Sequence, residues 1–163
     1  MDYFLSLGSN LGSRAKNLAT AVRLLRENGV EVLRASSVYE TEPVDHLDQP
    51  WFLNQALQVR SSLDPYSLLE LAKSIEARMK RVPTVAKGPR TIDIDILFAG
   101  DTVLDTPDLV IPHPRLAQRN FVLVPLCEIA PEIRHPILGQ TIRELAPASG
   151  DRARVIVQKR RLS

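Results

Sequence analysis

Apolar and polar residues recur along this chain with two periods, and the periods predict its elements. Residues 2–8 (DYFLSLG) read as an opening strand that Gly8-Ser9-Asn10 breaks. Ser13 stands where a helix cap belongs, and Leu18, Ala21, Val22 and Leu25 fall at i, i+3, i+4 and i+7. That spacing predicts a helix over Arg14–Glu27 with one apolar stripe, stopped by Asn28-Gly29. Residues 30–39 alternate well enough for a second strand, and a polar, proline-bearing loop runs from Glu40 to Pro50. Residues 52–60 alternate as a third strand with one face on a core. Asp64-Pro65 starts a second helix, with an acid at the cap and proline in the first turn. Its buried stripe is Leu68, Leu71, Ala72, Ile75 and Met79.

Residues 81–90, with two prolines and a glycine, read as an exposed loop. Residues 91–98 (TIDIDILF) form a fourth strand, and 99–102 a turn into a short return strand. The order β-α-β-β-α-β predicts an α+β fold, a ferredoxin-like sandwich, with C-terminal helical and short-strand additions. Those additions are helices over Asn120–Ile129 and Thr141–Leu145 and a basic tail over 152–163, read as a solvated tail or an extra edge strand.

Composition narrows the chemistry. A length of 163 residues predicts one domain, 1–163. With 21 Lys+Arg against 19 Asp+Glu the net charge is only +2, which argues against a broad nucleic-acid footprint. No secretory signal and no apolar run of membrane length is visible, so the expected location is cytoplasmic with no membrane partner. The single cysteine, Cys127, excludes an internal disulfide and a multi-cysteine zinc site. Seven glycines, in no GxxxxGK or GxGxxG arrangement, remove the two commonest glycine-rich phosphate cradles. If the protein handles nucleotides, it holds their phosphates by another device.

The segment Gly88-Pro89-Arg90-Thr91-Ile92-Asp93-Ile94-Asp95-Ile96-Leu97 supplies one. On a strand Asp93 and Asp95 share a face, with β-carbons roughly 6–7 Å apart, while Ile92, Ile94 and Ile96 point to the core. Two neighbouring carboxylates repel unless positive charge lies between them, and Mg²⁺ shares such oxygens with substrate phosphates. The bland alternative is a half-exposed strand with acids on its wet side. Arg90, Lys87 and Arg81 on the preceding loop favour a polyphosphate clamp instead. A second constellation is Ile111-Pro112-His113-Pro114-Arg115 with Arg119: an imidazole held between prolines beside phosphate-capable guanidinium forks. Alone, His113 reads as a loop-packing residue, and His135, with no cluster around it, reads as structural. A third is Asp48-Gln49-Pro50-Trp51-Phe52-Leu53-Asn54, where aromatics beside an amide suit either a slot for a flat heterocycle or a core.

Several blocks together resemble one family. These are LSLGSNL at 5–11, SSVYET at 36–41, DQPWFLN at 48–54, GPRTIDIDIL at 88–97, Ile111-Pro112-His113, Arg119-Asn120-Phe121 and Pro125-Leu126. They occur in this order in the 6-hydroxymethyl-7,8-dihydropterin pyrophosphokinases of folate biosynthesis. The resemblance covers roughly residues 2–147. It implies a monomeric enzyme on a ferredoxin-like fold that moves pyrophosphate from ATP to the pterin hydroxymethyl group with two Mg²⁺. It also implies roles by position. Asp93 and Asp95 would hold the metals, and Arg81 and Arg90 would close over the triphosphate. Glu76, His113 and Arg119 would meet ATP. Phe52 and Phe121 would sandwich the pterin, whose polar edge Asn54 and the backbone near Thr41 and Val44 would read. The chain departs from the family pattern at Glu42, at Ala86-Lys87 and at Pro114. Two other classes stand beside this one: a Mg²⁺-dependent phosphotransferase that leaves ADP, and a ligand-sensing module without turnover.

Overall fold

The computed structural model describes residues 1–43, 48–80 and 91–158. In chain order its elements are β1 (Asp2–Ser9), α1 (Arg14–Glu27), β2 (Glu31–Ala35), β3 (Tyr39–Thr41), β4 (Phe52–Arg60), α2 (Pro65–Met79), β5 (Asp93–Ala99), β6 (Leu104–Asp105), β7 (Val110–Ile111), α3 (Asn120–Ile129), α4 (Ile142–Leu145) and β8 (Val155–Val157). The result is an α+β fold whose main sheet is antiparallel, ordered β5-β1-β4-β3-β8, with β2 also paired to β4. No helix among the described residues is long and apolar enough to cross a membrane.

The sheet is buried on both faces, which is why β1 reads as a nearly continuous apolar run. Tyr3, Leu5 and Leu7 point one way and pack with Leu53, Leu57, Ile94 and Ile96 under α1 and α2. Phe4 points the other way and packs with Ala56, Leu97 and Phe98 against Leu123 and Leu126 of α3 and Ile142 of α4. Across this second core Phe4 and Phe98 meet edge to face, ring centres 6.4 Å apart. The α3 layer covers only part of that face, and the candidate site occupies the rest.

Helix starts and stops follow local chemistry, with one correction. Asp64 caps α2 through its side chain, accepting from the Ser67 amide at 2.8 Å, an interaction worth about 1 kcal/mol. Ser13 holds the cap position of α1 but makes no side-chain capping bond; its carbonyl accepts from Asn17 instead. Gly29 ends α1 at φ +83°, a left-handed turn that glycine adopts without a steric penalty. The buried stripe of α1 is Leu18, Ala21, Leu24 and Leu25, with Val22 half-buried at its margin.

Two strand expectations also change. The strand predicted over 30–39 is split into β2 and β3. Four steps from Ala35 to Tyr39 oppose three from Leu57 to Asn54, so one extra residue bulges out. Ser36 stabilises the bulge: its hydroxyl accepts from the Ala56 amide at 2.9 Å, and its carbonyl from Gln55 Nε2. The return strand after the 99–102 turn pairs with β7 in a separate two-stranded sheet rather than with β5. The tail does form an edge strand, β8, on β3.

His135 is buried in the second core, its ring edge-on to Phe98 at 5.8 Å. Its Nδ1 accepts from the amides of Ile137 and Leu138. Burial lowers its pKa below the usual 6.5, so the folded state binds fewer protons than the unfolded chain below that pH. The stabilisation His135 supplies is therefore complete above pH 6.5 and is lost as pH falls. Replacement by Asn keeps an acceptor near Nδ1 that does not titrate but loses the ring. His135→Asn is expected to cost about 1–2 kcal/mol at pH 7 in urea unfolding. The gap to the original protein is expected to narrow at pH 5; an unchanged gap would contradict the assignment.

Candidate functional site

The site is built on the register of the sheet. Gly8 of the central strand β1 lies opposite Asn54 of β4 on one side and Asp93 of β5 on the other. Two residues earlier, Ser6 lies between Ala56 and Asp95. Residues directly opposed across antiparallel strands share a face. Asn54, Gly8 and Asp93 therefore form one row and Ala56, Ser6 and Asp95 the next, on the face that α3 leaves partly open. With adjacent strands about 4.8 Å apart, Asn54 and Asp93 stand roughly 10 Å apart across Gly8.

On the β4 side the row is a polar niche with an apolar wall. Asn54 and Thr41 are both buried, and Asn54 Nδ2 donates to Thr41 Oγ1 at 2.5 Å. Phe52, half-buried, lies beside them on the same face. Gly8 is needed here. A Cβ at that position would sit 2.6 Å from Asn54 Oδ1 and 3.4 Å from the Phe52 ring. The loop leading into β4 is pinned from β1 and α1: Asn10 Nδ2 donates to Gln49 Oε1 and to the Pro50 carbonyl, and Arg14 donates to the Trp51 carbonyl at 2.9 Å.

On the β5 side the row is acidic. Asp93 is half-buried and Asp95 exposed, while Ile92, Ile94 and Ile96 are buried opposite them, as the alternation predicts. Glu76 of α2 joins the pair, its Oε2 accepting from the Ile94 amide at 2.8 Å. Partial burial pushes the Glu76 carboxyl up to about 7; the Ile94 bond opposes that shift, and the charges of Asp93 and Asp95 add to it. Asp95 is likewise raised, by surrounding protein, against the opposing pull of Arg119 and Lys73. Arg119, distant in sequence, thus faces the acidic end. Three carboxyls in one field, two of them held above their usual range, form a place where added positive charge is favoured. Among the described residues no group of three His, Cys, Asp or Glu side chains is placed to hold a metal. A cation on Asp93 and Asp95 would therefore take further ligands from water or substrate, the habit of Mg²⁺ with phosphates.

His113 sits beyond β5, its amide donating to the Leu97 carbonyl at 3.1 Å. Its Nδ1 accepts from the Arg115 amide, an arrangement that leaves Nε2 to carry the proton. Burial first, then the charges of Arg119 and Arg115, lower its pKa to about 4, so it is neutral at pH 7. With Asp95, Ile96, Leu109 and Val110 it lines a cavity of about 220 Å³. Phe121 stands half-buried in the first turn of α3, with the Arg119 guanidinium 5.5 Å from its ring centre.

Of the residues predicted from sequence, Asp93, Asp95, Glu76, His113 and Arg119 thus gather at the acidic end, and Thr41, Phe52 and Asn54 at the niche. Arg81, Arg90 and Val44 lie outside the described residues. Sequence reading gave no site role to Gly8, which it took for a break although β1 runs on to Ser9, or to Asn10, which ties down the 49–50 loop. The signal for both was the LGSN run itself.

This chain matches the sequence pattern of the 7,8-dihydro-6-hydroxymethylpterin-pyrophosphokinase family over residues 4–131. It is 45% identical over 131 residues to the 2-amino-4-hydroxy-6-hydroxymethyldihydropteridine pyrophosphokinase of Bacillus subtilis, covering 80% of this chain and 78% of that protein. It is 42% identical over 139 residues to the folic acid synthesis protein fol1 of Pneumocystis carinii, covering 85% of this chain but only 19% of that much longer protein. The fold resembles the crystal structure of wild-type Plasmodium falciparum HPPK-DHPS, with a TM-score of 0.70 at 20% identity over 90% of this chain and 44% of that one. The blocks read from the sequence, the site they assemble and these matches agree: the chain belongs to the 7,8-dihydro-6-hydroxymethylpterin-pyrophosphokinase family.

Proposed function

We propose that this protein transfers the pyrophosphoryl group of ATP to 6-hydroxymethyl-7,8-dihydropterin and releases AMP. The observation that carries this reading is the row through Gly8, which sets a buried amide niche beside an acidic phosphate end on one open sheet face. The pterin ring lies between Phe52 and Phe121, its polar edge against Asn54, Thr41 and the backbone near Val44. That pose carries the hydroxymethyl group toward Asp93. Its oxygen attacks the β-phosphorus of ATP and gives up its proton to solvent, the bond from that phosphorus to the oxygen bridging to the α-phosphorus breaks, and AMP departs.

Asp93 and Asp95 would hold two Mg²⁺, which would supply charge neutralisation for the triphosphate and lower the pKa of the attacking hydroxyl. Glu76 borders this end and tunes its charge. Arg119 and the Nε2–H of neutral His113 donate to phosphate oxygens, and Arg81 and Arg90 offset the charge that grows on the oxygen bridging to AMP. A neutral His113 can donate one hydrogen bond without adding charge, so the net positive charge comes from the arginines. The sheet order β5-β1-β4 followed by β2 and β3, with α1 and α2 on one face, supports the ferredoxin-like reading of the fold.

Phosphorus NMR of a reaction with ATP, Mg²⁺ and the pterin is expected to show AMP and the pterin pyrophosphate. ADP as product would establish a simple phosphotransferase, and no turnover a binding module. Asp95→Ala is expected to lower kcat by roughly 10²–10³-fold and to weaken MgATP binding. Rates like those of the original protein at saturating Mg²⁺ would remove Asp95 from the metal site. Gly8→Ala is expected to raise the pterin KM roughly tenfold, because the added methyl displaces Asn54, with the ATP KM within about twofold. Equal losses for both substrates would show that Gly8 serves the sheet rather than the niche.

A further inference from the structure

The segment 149–157 lies beyond the stretch that matches the family, yet it is tied to both walls of the proposed pterin site. At one end it holds the start of α3. Asp151 Oδ2 accepts from the Asn120 amide at 2.8 Å, the Asp151 carbonyl accepts from Asn120 Nδ2 at 3.0 Å, and Ser149 Oγ donates to Asn120 Oδ1 at 2.6 Å. The residue at the α3 cap position, Arg119, makes no side-chain capping bond, so Asp151 supplies the missing acceptor from a distant part of the chain. The helix turn fixed in this way carries Phe121.

At its other end the segment holds β3 and the entrance to β4. β8 pairs with β3, setting Val155 opposite Thr41 and Val157 opposite Tyr39. Arg154 grips Glu42 three ways: its amide donates to Glu42 Oε1 at 2.6 Å, its Nε reaches the same oxygen at 3.3 Å, and its carbonyl accepts from the Glu42 amide at 3.0 Å. Its guanidinium lies over the Trp51 ring, 4.9 Å from the centre. Glu42 follows Thr41, and Trp51 precedes Phe52.

We propose that residues 149–157 form a strap that sets the separation between Phe121 on one wall and Phe52 and Thr41 on the other, with Arg154 and Asp151 as its positioning residues. Neither touches the reacting atoms. A flat ring held between two aromatics gains contact energy only if the gap matches its thickness, because dispersion falls steeply with a gap of half an ångström or more. β3, three residues long, is paired to β4 and tied to α3 through Tyr39 and Glu128, and β8 gives it a second strand neighbour beside Thr41. The acidic carboxyls are anchored separately through β5 and α2, and although Arg119 adjoins the Asn120 end of the strap, Arg154 lies at the other end, so its effect falls on the pterin side. This inference rests on the proposed pterin reading.

The test is calorimetric binding of the pterin in the presence of Mg²⁺ and a non-hydrolysable ATP analogue, with nucleotide binding measured alone. Arg154→Ala is expected to raise the pterin Kd roughly five- to tenfold and to leave the nucleotide Kd within about twofold. Arg154→Lys, which keeps the charge on Glu42 without the fork, is expected to recover part of the loss. Adding Asp151→Ala to Arg154→Ala is expected to deepen the pterin loss by less than Asp151→Ala alone produces, since both substitutions loosen the same strap. Unchanged pterin affinity in Arg154→Ala, or a parallel loss of both ligands, would overturn the strap. Failure of the original protein to bind the pterin would overturn the functional reading, and the strap's role with it.

Discussion

Two polar sites of opposite needs share one sheet face because the strand between them carries no side chain at the crossing point. Gly8 lies between Asn54 and Asp93, and a Cβ there would come within 2.6 Å of Asn54 Oδ1. The absent side chain leaves room for Asn54 Oδ1 on the β1 side while Asn54 Nδ2 donates to Thr41 on β3. Everything else positions this crossing. The core under α1 and α2 fixes β1 from below, and the second core under α3 fixes the far end of the same face. Asn10 and Arg14 hold the chain leading into β4. The pattern of large buried residues around one bare position is thus what places the Asn54 niche about two strands from the acidic end.

The electrostatics of the acidic end belong to the same design. Partial burial, with the charges of Asp93 and Asp95 added to it, holds Glu76 up to about 7, and burial raises Asp95 against the pull of Arg119 and Lys73. Added positive charge would be favoured in such a field, because it would offset the repulsion between the carboxylates. His113 fits by being neutral: its Nδ1 is occupied by a backbone amide and its pKa is depressed, so it offers one donor and no extra charge.

Much of this was legible in the sequence, and the failures have physical causes. The helices α1, α2 and α3 follow from their apolar stripes and boundaries, because each must bury one side. The placing of Asp93 and Asp95 on one face with Ile92, Ile94 and Ile96 opposite follows from strand alternation alone. Both His-Pro dipeptides form the same local turn, an imidazole Nδ1 accepting from a following amide. What separates them is the surroundings, arginines and a cavity for His113 against Phe98 for His135. The bulge that splits 30–39 was not legible, since it depends on Ser36 and on Glu128 of α3, which accepts from the Ser37 amide and from Tyr39. Nor was the importance of Gly8, which needs the register of three strands, or the docking of 149–157, whose partners lie about 30 and 110 residues away.

The claim at the centre of this account is that pterin and triphosphate occupy adjacent ends of one sheet face, separated by Gly8. A crystal structure of the protein with the pterin, Mg²⁺ and a non-hydrolysable ATP analogue measures this directly. The account predicts the pterin ring against Phe52 with its polar edge on Asn54, the triphosphate over Asp93 and Asp95, and the hydroxymethyl oxygen facing the β-phosphorus across Gly8. A pterin bound away from Asn54, or a triphosphate that leaves Asp93 and Asp95 without metal, would contradict it.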